Sequence, residues 1–232
     1  MDVNASIRDI QMPLRISRLP VNDKGFPVPW FVARVGGDFG TPVWDFRVIG
    51  PGKLSDAYYN RKCWICGDKL GQYLVFTIGP MCSVNRVNSE PPSHLECAQY
   101  AVQACPFLSK PRMKRNEVDL PEGPPIAGEH LSHNPGATAL WITKTYKPFK
   151  VKGGTLFKLG DPMNVLWYAE GRRATRGEVL EAMYKGLPYL RHMAQLEGPK
   201  AQKECEAALH LAMNWIPKED DNARQVRPEE HT

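Results

Sequence analysis

The chain has 232 residues, an apolar fraction of 42% and a formal net charge of +5. This size and apolar content suffice for one hydrophobic core or two small ones, which excludes a peptide held together only by disulfides. No run of eighteen apolar residues occurs, and the first residues lack the basic start and apolar run of a secretory signal, so we expect a cytoplasmic protein without membrane spans. The small positive charge permits a polyanionic partner without requiring one.

The first part of the chain is predicted to be rich in β-strands. Residues 30–35 and 43–49 have the composition of strands, and the Gly- and Pro-rich segment between them predicts a hairpin. Residues 54–61 favour a short helix. Residues 73–78 and 81–87 then predict two more strands, joined at Gly79 and Pro80.

A helix is predicted from Ser93, which fits an N-cap with Glu96 three residues later, and Pro106 ends the apolar pattern. Residues 107–137 are rich in Pro, Gly and charge, which indicates a long surface connection. The sequence thus predicts a β-rich metal-binding module over 1–106, a connecting loop over 107–137, an α+β unit over 138–216 and a flexible tail over 217–232.

The C-terminal unit is predicted to combine a small sheet with two helices. Residues 139–157 favour two strands with Gly153 and Gly154 near their junction, and 165–168 favour a third. A capping box at Thr175 predicts a helix that is interrupted at residues 186–188, and a second helix is expected over 199–215. The predicted fold class is therefore α+β, with the β-rich metal module first and the small sheet and two helices after it.

Two short pairs of side chains have the spacing of zinc ligands. Cys63 and Cys66 form a C-x2-C turn, which Gly67 can leave with a positive φ, and His94 and Cys97 lie three residues apart at the start of the predicted helix. Two local pairs assemble a tetrahedral site at a low cost in chain entropy. We predict one structural Zn²⁺ bound by these four residues, with Cys82 as the alternative to His94.

The sequence offers no recognised catalytic signature. Phosphate-loop, G-x-S-x-G and H-E-x-x-H patterns are absent, and a zinc ion with four protein ligands has no open position for a substrate. A His-x2-His pair, His130 and His133, is an outside candidate for a second metal site or for an enzyme of unrecognised type. We therefore expect a non-catalytic binding protein.

The predicted order of a Cys-x2-Cys knuckle, a hairpin and a ligand-bearing helix over residues 63–106 resembles the treble-clef zinc-finger family. Nucleases in that family carry a histidine base on the hairpin, and no histidine lies between Cys66 and His94, which disfavours that activity. Stretches at 27–31, 63–67, 79–82, 90–97 and 171–178 together resemble a group of uncharacterised bacterial and phage proteins. That resemblance implies a phage or mobile-element setting and no particular activity.

Residues 139–158 contain lysines and aromatic residues and no acidic residue. In an extended chain Lys144, Tyr146, Lys150 and Lys152 would share a face that could bind phosphates and stack on a base, and Lys114 and Arg115 add a second basic group. The alternative is an edge strand whose lysines prevent aggregation. We predict contact with nucleic acid, the alternative being a phage-encoded adaptor that modulates a host protein through the C-terminal helices.

Overall fold

A computed structural model describes residues 3–36, 42–111, 113–114 and 134–218. Within these ranges the α-helices are α1 (Leu14–Ser17), α2 (Lys53–Tyr59), α3 (Pro80–Asn85), α4 (Leu95–Ala104), α5 (Pro106–Ser109), α6 (Arg176–Glu197) and α7 (Pro199–Ala212). The strands are β1 (Val32–Gly36), β2 (Pro42–Ile49), β3 (Leu74–Ile78), β4 (Val87–Asn88), β5 (Thr138–Thr143), β6 (Tyr146–Val151), β7 (Gly154–Leu159), β8 (Asn164–Ala169) and β9 (Arg172–Arg173). Short 3-10 helices at Ala5–Ile7 and Met213–Trp215 complete the elements of the described residues.

The strands form three antiparallel sheets. The orders are β1-β2, β3-β5-β8-β9 and β4-β7-β6. The mixed α and β composition agrees with the predicted class, and the predicted hairpin of β1 and β2 and the capping box of α6 are confirmed. No helix in the described ranges is long and apolar enough to cross a lipid bilayer.

The strand predicted over 81–87 is wrong, because most of this segment is helix α3. Pro80 occupies the first turn of α3, where its fixed φ suits a helix and its missing N–H leaves no donor unsatisfied. The Ser83 hydroxyl donates to the Pro80 carbonyl at 2.6 Å, which closes the turn. Only the two residues of β4 remain extended, so β3 is followed by a helix and not by a direct hairpin.

Helix α4 begins one residue later than predicted. Ser93 is not its cap, because the backbone of Ser93 pairs with Val75 of β3 through N–H···O bonds of 2.8 and 3.0 Å. His94 takes the N-cap position with extended φ and ψ and makes no capping bond through its side chain. The ladder to β3 therefore fixes the backbone immediately before the first helical turn.

Two further predictions are corrected in the C-terminal half. Three strands, β5 to β7, occupy the region where two were expected, because Thr145 N–H donates to the Thr143 hydroxyl and turns the chain without a glycine. Helix α6 runs through Pro188 without a break. Its buried Val179, Met183 and Leu187 pack the helix into the protein, which outweighs the roughly 3 kcal/mol cost of an interior proline.

Both larger sheets combine strands from the two sides of residues 107–137. Strand β3 pairs with β5, with Phe76 directly opposite Trp141, and β4 pairs with β7. Phe76 and Trp141 are both fully buried in a core cluster that also contains Cys63 and Cys97. The division into units at this connection remains a prediction, whereas the sulfurs of Cys63 and Cys97 share a core with strands that follow it.

Candidate metal centre

Cys63, Cys66, His94 and Cys97 converge on one point of the structure. Their ligand atoms all lie within 4.8 Å of one another, and the geometry could hold a metal ion. His94 Nδ1 is 3.4 Å from Cys66 Sγ and 4.0 Å from Cys97 Sγ. A tetrahedral zinc ion separates a sulfur ligand from a nitrogen ligand by about 3.5 Å, so these distances are close to those of a bound ion.

A tight turn brings the first two sulfurs together. The Cys63 N–H donates to the Asp68 carbonyl at 2.7 Å, and the Gly67 N–H donates to the Cys63 carbonyl at 2.9 Å. The Cys66 N–H points at Cys63 Sγ from 3.5 Å. Gly67 leaves the turn with φ of +80°, as its place after the second cysteine predicts.

Trp30 packs directly against this turn. Its backbone N–H donates to the Ile65 carbonyl at 2.7 Å, and its ring occupies the space that a side chain at Gly67 would need. A Cβ built on Gly67 would lie 2.5 Å from Trp30 Cδ1. On the same ring, the Lys53 ammonium lies 4.0 Å from the centroid. Gly67 is therefore required both by its backbone angle and by the indole above it.

The start of α4 supplies the other two residues of the cluster. The bridge between Ser93 and Val75 positions His94, and Cys97 follows in the first turn of the helix, where the dipole favours a thiolate. The His94 N–H also points at Cys63 Sγ from 3.4 Å, so a sulfur of the first pair contacts the backbone that presents the second pair.

The second ring nitrogen of His94 fixes the orientation of the imidazole. Nε2 lies 3.2 Å from the Lys69 carbonyl oxygen, which can only accept a hydrogen bond. Nε2 therefore carries a proton, and Nδ1 faces the sulfurs of Cys66 and Cys97. A backbone acceptor of this kind commonly supports histidine ligands of metal ions.

The pKa values show how strongly the three sulfurs and the imidazole interact. Hydrogen bonds from Cys66 and Cys97 lower the pKa of Cys63, whereas the neighbouring Cys63 and Cys66 raise the pKa of Cys97. Hydrogen bonding to Cys63 and Cys66 raises the pKa of His94 to about 10. All three shifts arise from the close approach of the sulfurs and the imidazole to one another.

Arg15 connects the two ligand pairs from outside. Its Nη1 lies 2.7 Å from Asp68 Oδ2, next to the turn, and its Nε lies 2.8 Å from Glu96 Oε1, between the two ligands of α4. Both ion pairs raise the pKa of the guanidinium, the hydrogen bond to Asp68 most. Sequence reasoning missed this residue, because the partners lie 53 and 81 residues away and no local motif marks them.

The remaining cysteines lie outside the cluster. Cys82, the predicted alternative ligand, lies on α3 and packs against the core, and burial raises the pKa of its thiol to about 11. Burial likewise raises the pKa of Cys105 and of Cys205. None of the six cysteines forms a disulfide. His130 and His133 lie outside the described residues.

The side chains predicted to contact nucleic acid have different environments. Tyr146 packs edge-on against Phe76 and Phe157, with ring centroids 5.5 and 5.8 Å apart, and burial raises its pKa. Lys150 donates to the Thr155 hydroxyl at 2.8 Å, and the Lys144 ammonium lies 5.5 Å from the centroid of the Tyr73 ring. Tyr146 thus faces the core. Three other predicted residues remain: Lys114 and Lys152 are exposed, and Arg115 lies outside the described residues.

Comparison of the chain with protein-family models, curated proteins and solved structures finds no match. The resemblance to bacterial and phage proteins therefore gains no support from these comparisons. The treble-clef resemblance likewise depends on the local geometry alone, in which helix α3 replaces the second hairpin strand.

Proposed function

We propose that Cys63, Cys66, His94 and Cys97 bind one structural Zn²⁺ in a non-catalytic binding protein. The observation that carries the proposal is the convergence of the four ligand atoms within 4.8 Å. Three cysteine sulfurs and an imidazole nitrogen are ligands that zinc prefers, and Cys₃His is a common set in structural sites. The Lys69 carbonyl supplies the outer contact to His94 that such a site uses.

A structural role follows from the number and the burial of the ligands. Four protein ligands fill a tetrahedral shell, which leaves no position for a reacting water molecule. Cys63 and Cys97 have no exposed surface and belong to the main core cluster. An ion at this point stabilises the packing of the turn against α4 and has no route to a substrate through these two ligands.

Metal analysis of matched cysteine variants tests the proposal. Cys97→Ser removes a sulfur of the cluster, and Cys82→Ser changes a half-buried cysteine outside the cluster. We expect about one zinc per chain in the wild type and in Cys82→Ser by elemental mass spectrometry, and almost none in Cys97→Ser. Cobalt substitution should give thiolate-to-metal charge transfer in the first two proteins. Wild-type protein without zinc, or an equal loss of zinc in both variants, would contradict the proposed site.

Contact with nucleic acid is the second candidate function. The observation that favours it is a group of exposed lysines on β6 and β7, Lys147 and Lys158, within a segment that has no acidic residue. For a contact of this kind, the logarithm of the binding constant falls linearly with the logarithm of the salt concentration, because counterions are released. Binding of a labelled oligonucleotide across a salt series tests it, and a lack of binding at low salt contradicts it.

A further inference from the structure

The sheet of β4, β7 and β6 has two unlike faces. On one face Thr155, Phe157 and Leu159 are buried, and Tyr58 of α2 packs against Phe157 with ring centroids 5.8 Å apart. The side chains of β6 and β7 that alternate with these point away from the core. They are Lys147, Phe149 and Val151 on β6 and Leu156 and Lys158 on β7, and each is half-buried or exposed.

Two lysines on this outer face lie directly opposite each other. Lys147 pairs in register with Lys158, and the next residue across the sheet is the uncharged Val87 of β4. Both lysines are exposed, and neither has an ion-pair partner among the described residues. Like charges directly opposite each other destabilise a sheet, so this pair concentrates positive charge at a cost to folding.

An aromatic ring lies in the neighbouring row. Phe149 pairs in register with Leu156, two residues along each strand from the lysines, which places the rows roughly 7 Å apart. Phe149 and Leu156 are half-buried and lie outside the apolar groups that pack into the core clusters of the described residues. The outer face therefore presents a planar apolar ring beside two positive charges.

We propose that this lysine face, formed by Lys147, Lys158, Phe149 and Leu156, binds single-stranded nucleic acid. The two ammonium groups contact consecutive phosphates, and a base stacks on the Phe149 ring. The inference depends on the nucleic-acid contact proposed above and names the surface that makes it. It replaces Tyr146, whose ring contacts Phe76 and Phe157, by Phe149 as the stacking residue.

The chemistry of the face favours a single strand over other anions. An unpaired base exposes a π-face that can stack on an aromatic ring, whereas the bases of a duplex already stack on one another. The carboxylates of an acidic peptide can pair with the two lysines, but such a peptide has no regularly spaced planar ring that could stack on Phe149. Stacking of any base is tolerated, so we expect little preference for sequence.

Charge-reversal variants test the assignment in the full, zinc-loaded chain. Lys147→Glu/Lys158→Glu reverses both lysines of the face, and it keeps a like-charged pair, so sheet stability stays matched. Lys200→Glu/Lys203→Glu makes the same change in net charge on exposed positions of α7. Fluorescence anisotropy with a labelled oligothymidylate measures affinity over a salt series. We expect the first variant to lose about tenfold or more and its salt slope to fall by roughly 1.4, and the second to change little.

Phe149→Leu tests the stacking contact, because it removes the ring and retains an apolar side chain. We expect an affinity loss on the order of tenfold with an unchanged salt slope. A thermal melt of each variant confirms that the sheet is folded.

The outcomes separate the two proposals. No binding by the wild type at low salt overturns the nucleic-acid contact and the face together. Equal losses in the two double variants leave the contact standing and overturn the assignment to this face. Equal affinity for a duplex, or for polyglutamate of the same charge, overturns recognition of a single strand.

Discussion

Gly67 shows how a single residue governs the ligand geometry. Its φ of +80° turns the chain after Cys66, and the Trp30 ring closes over the position where a side chain would start. A substitution here therefore meets two separate obstacles, a backbone angle that L-residues rarely adopt and a rigid aromatic neighbour. Gly52 has a similar φ of +74° but open space around it, so a substitution there tests the effect of the backbone angle alone.

We predict that Gly67→Ala lowers the free energy of unfolding of the zinc-loaded protein by about 3 kcal/mol and lowers its affinity for zinc. Gly52→Ala should lower the free energy of unfolding by only about 1 kcal/mol. The difference arises because Trp30 must move away from the turn. Urea denaturation gives the free energies of unfolding, and competition with a chromogenic chelator gives zinc affinity. An equal loss of unfolding free energy in the two variants would show that Trp30 moves away from the turn at little cost.

The N-terminus of α6 shows how local contacts define an element. The Thr175 hydroxyl accepts from Glu178 N–H, and the Glu178 carboxylate accepts from Thr175 N–H at 2.8 Å and from Arg172 at 2.7 Å. The bond from Arg172, with those from Thr175, lowers the pKa of Glu178 to about 2. Both partners are partly exposed, so solvent screening limits the gain in stability.

The lowered pKa of Glu178 predicts a pH dependence with a definite sign. Its stabilising effect is fully present above the ordinary pKa of 4.5 and is lost as the pH falls towards about 2. We expect wild type to be more stable than Glu178→Gln at pH 7 and the difference to vanish over that window. Thermal melts of both proteins across the pH range measure it.

Glu181→Gln provides the control for this helix. Glu181 pairs with Lys185 at 2.6 Å, but its side chain is 67% exposed, so the substitution should change stability little at any pH. Acid would also release the proposed Zn²⁺ from all three proteins, so only the differences in stability between them report on the cap. A difference in thermal stability between wild type and Glu178→Gln that stays constant down to pH 2 would contradict the assigned ion pair.

The Cys₃His cluster packs with strands from both sides of residues 107–137. Cys63 and Cys97 share a core with Phe76 of β3 and with Trp141 of β5. Ligands that bind only the native state stabilise every part that unfolds with it. Zinc bound near the N-terminal half should therefore protect the C-terminal strands as well.

We predict that removal of zinc by a chelator raises amide hydrogen exchange in β5 and β8 together with β3. Hydrogen-exchange mass spectrometry of the loaded and metal-free protein measures the three strands in one experiment. The Cys82→Ser variant, which retains the Cys₃His cluster, controls for the loss of a half-buried thiol. Faster exchange confined to residues 63–97 would show that the metal stabilises its own segment alone.

Local signals sufficed to predict the Cys₃His cluster, because each pair is set by a few neighbouring residues. The spacing of Cys63 with Cys66 and of His94 with Cys97 is visible without knowledge of the fold. Helix α3 was missed because a Gly-Pro step begins a helix as well as a turn. The side on which Tyr146 lies depends on the pairing of β6 with β7, and the Arg15 contacts depend on distant chain segments. Neither the side of Tyr146 nor the Arg15 contacts can be predicted from neighbouring residues in the sequence.

The order of the strands has a consequence for biosynthesis. All four ligands precede residue 98, whereas β5, the partner of β3, begins at Thr138, roughly forty residues later. A ribosome that adds about 5–20 residues per second leaves an interval of roughly 2–8 s in which the nascent chain holds every ligand but lacks that strand. With the proposed Zn²⁺ site, ion capture during translation would fix α4 beside β3 before β5 emerges, so the zinc supply would set how often newly made chains have these two elements in place when β5 pairs with β3.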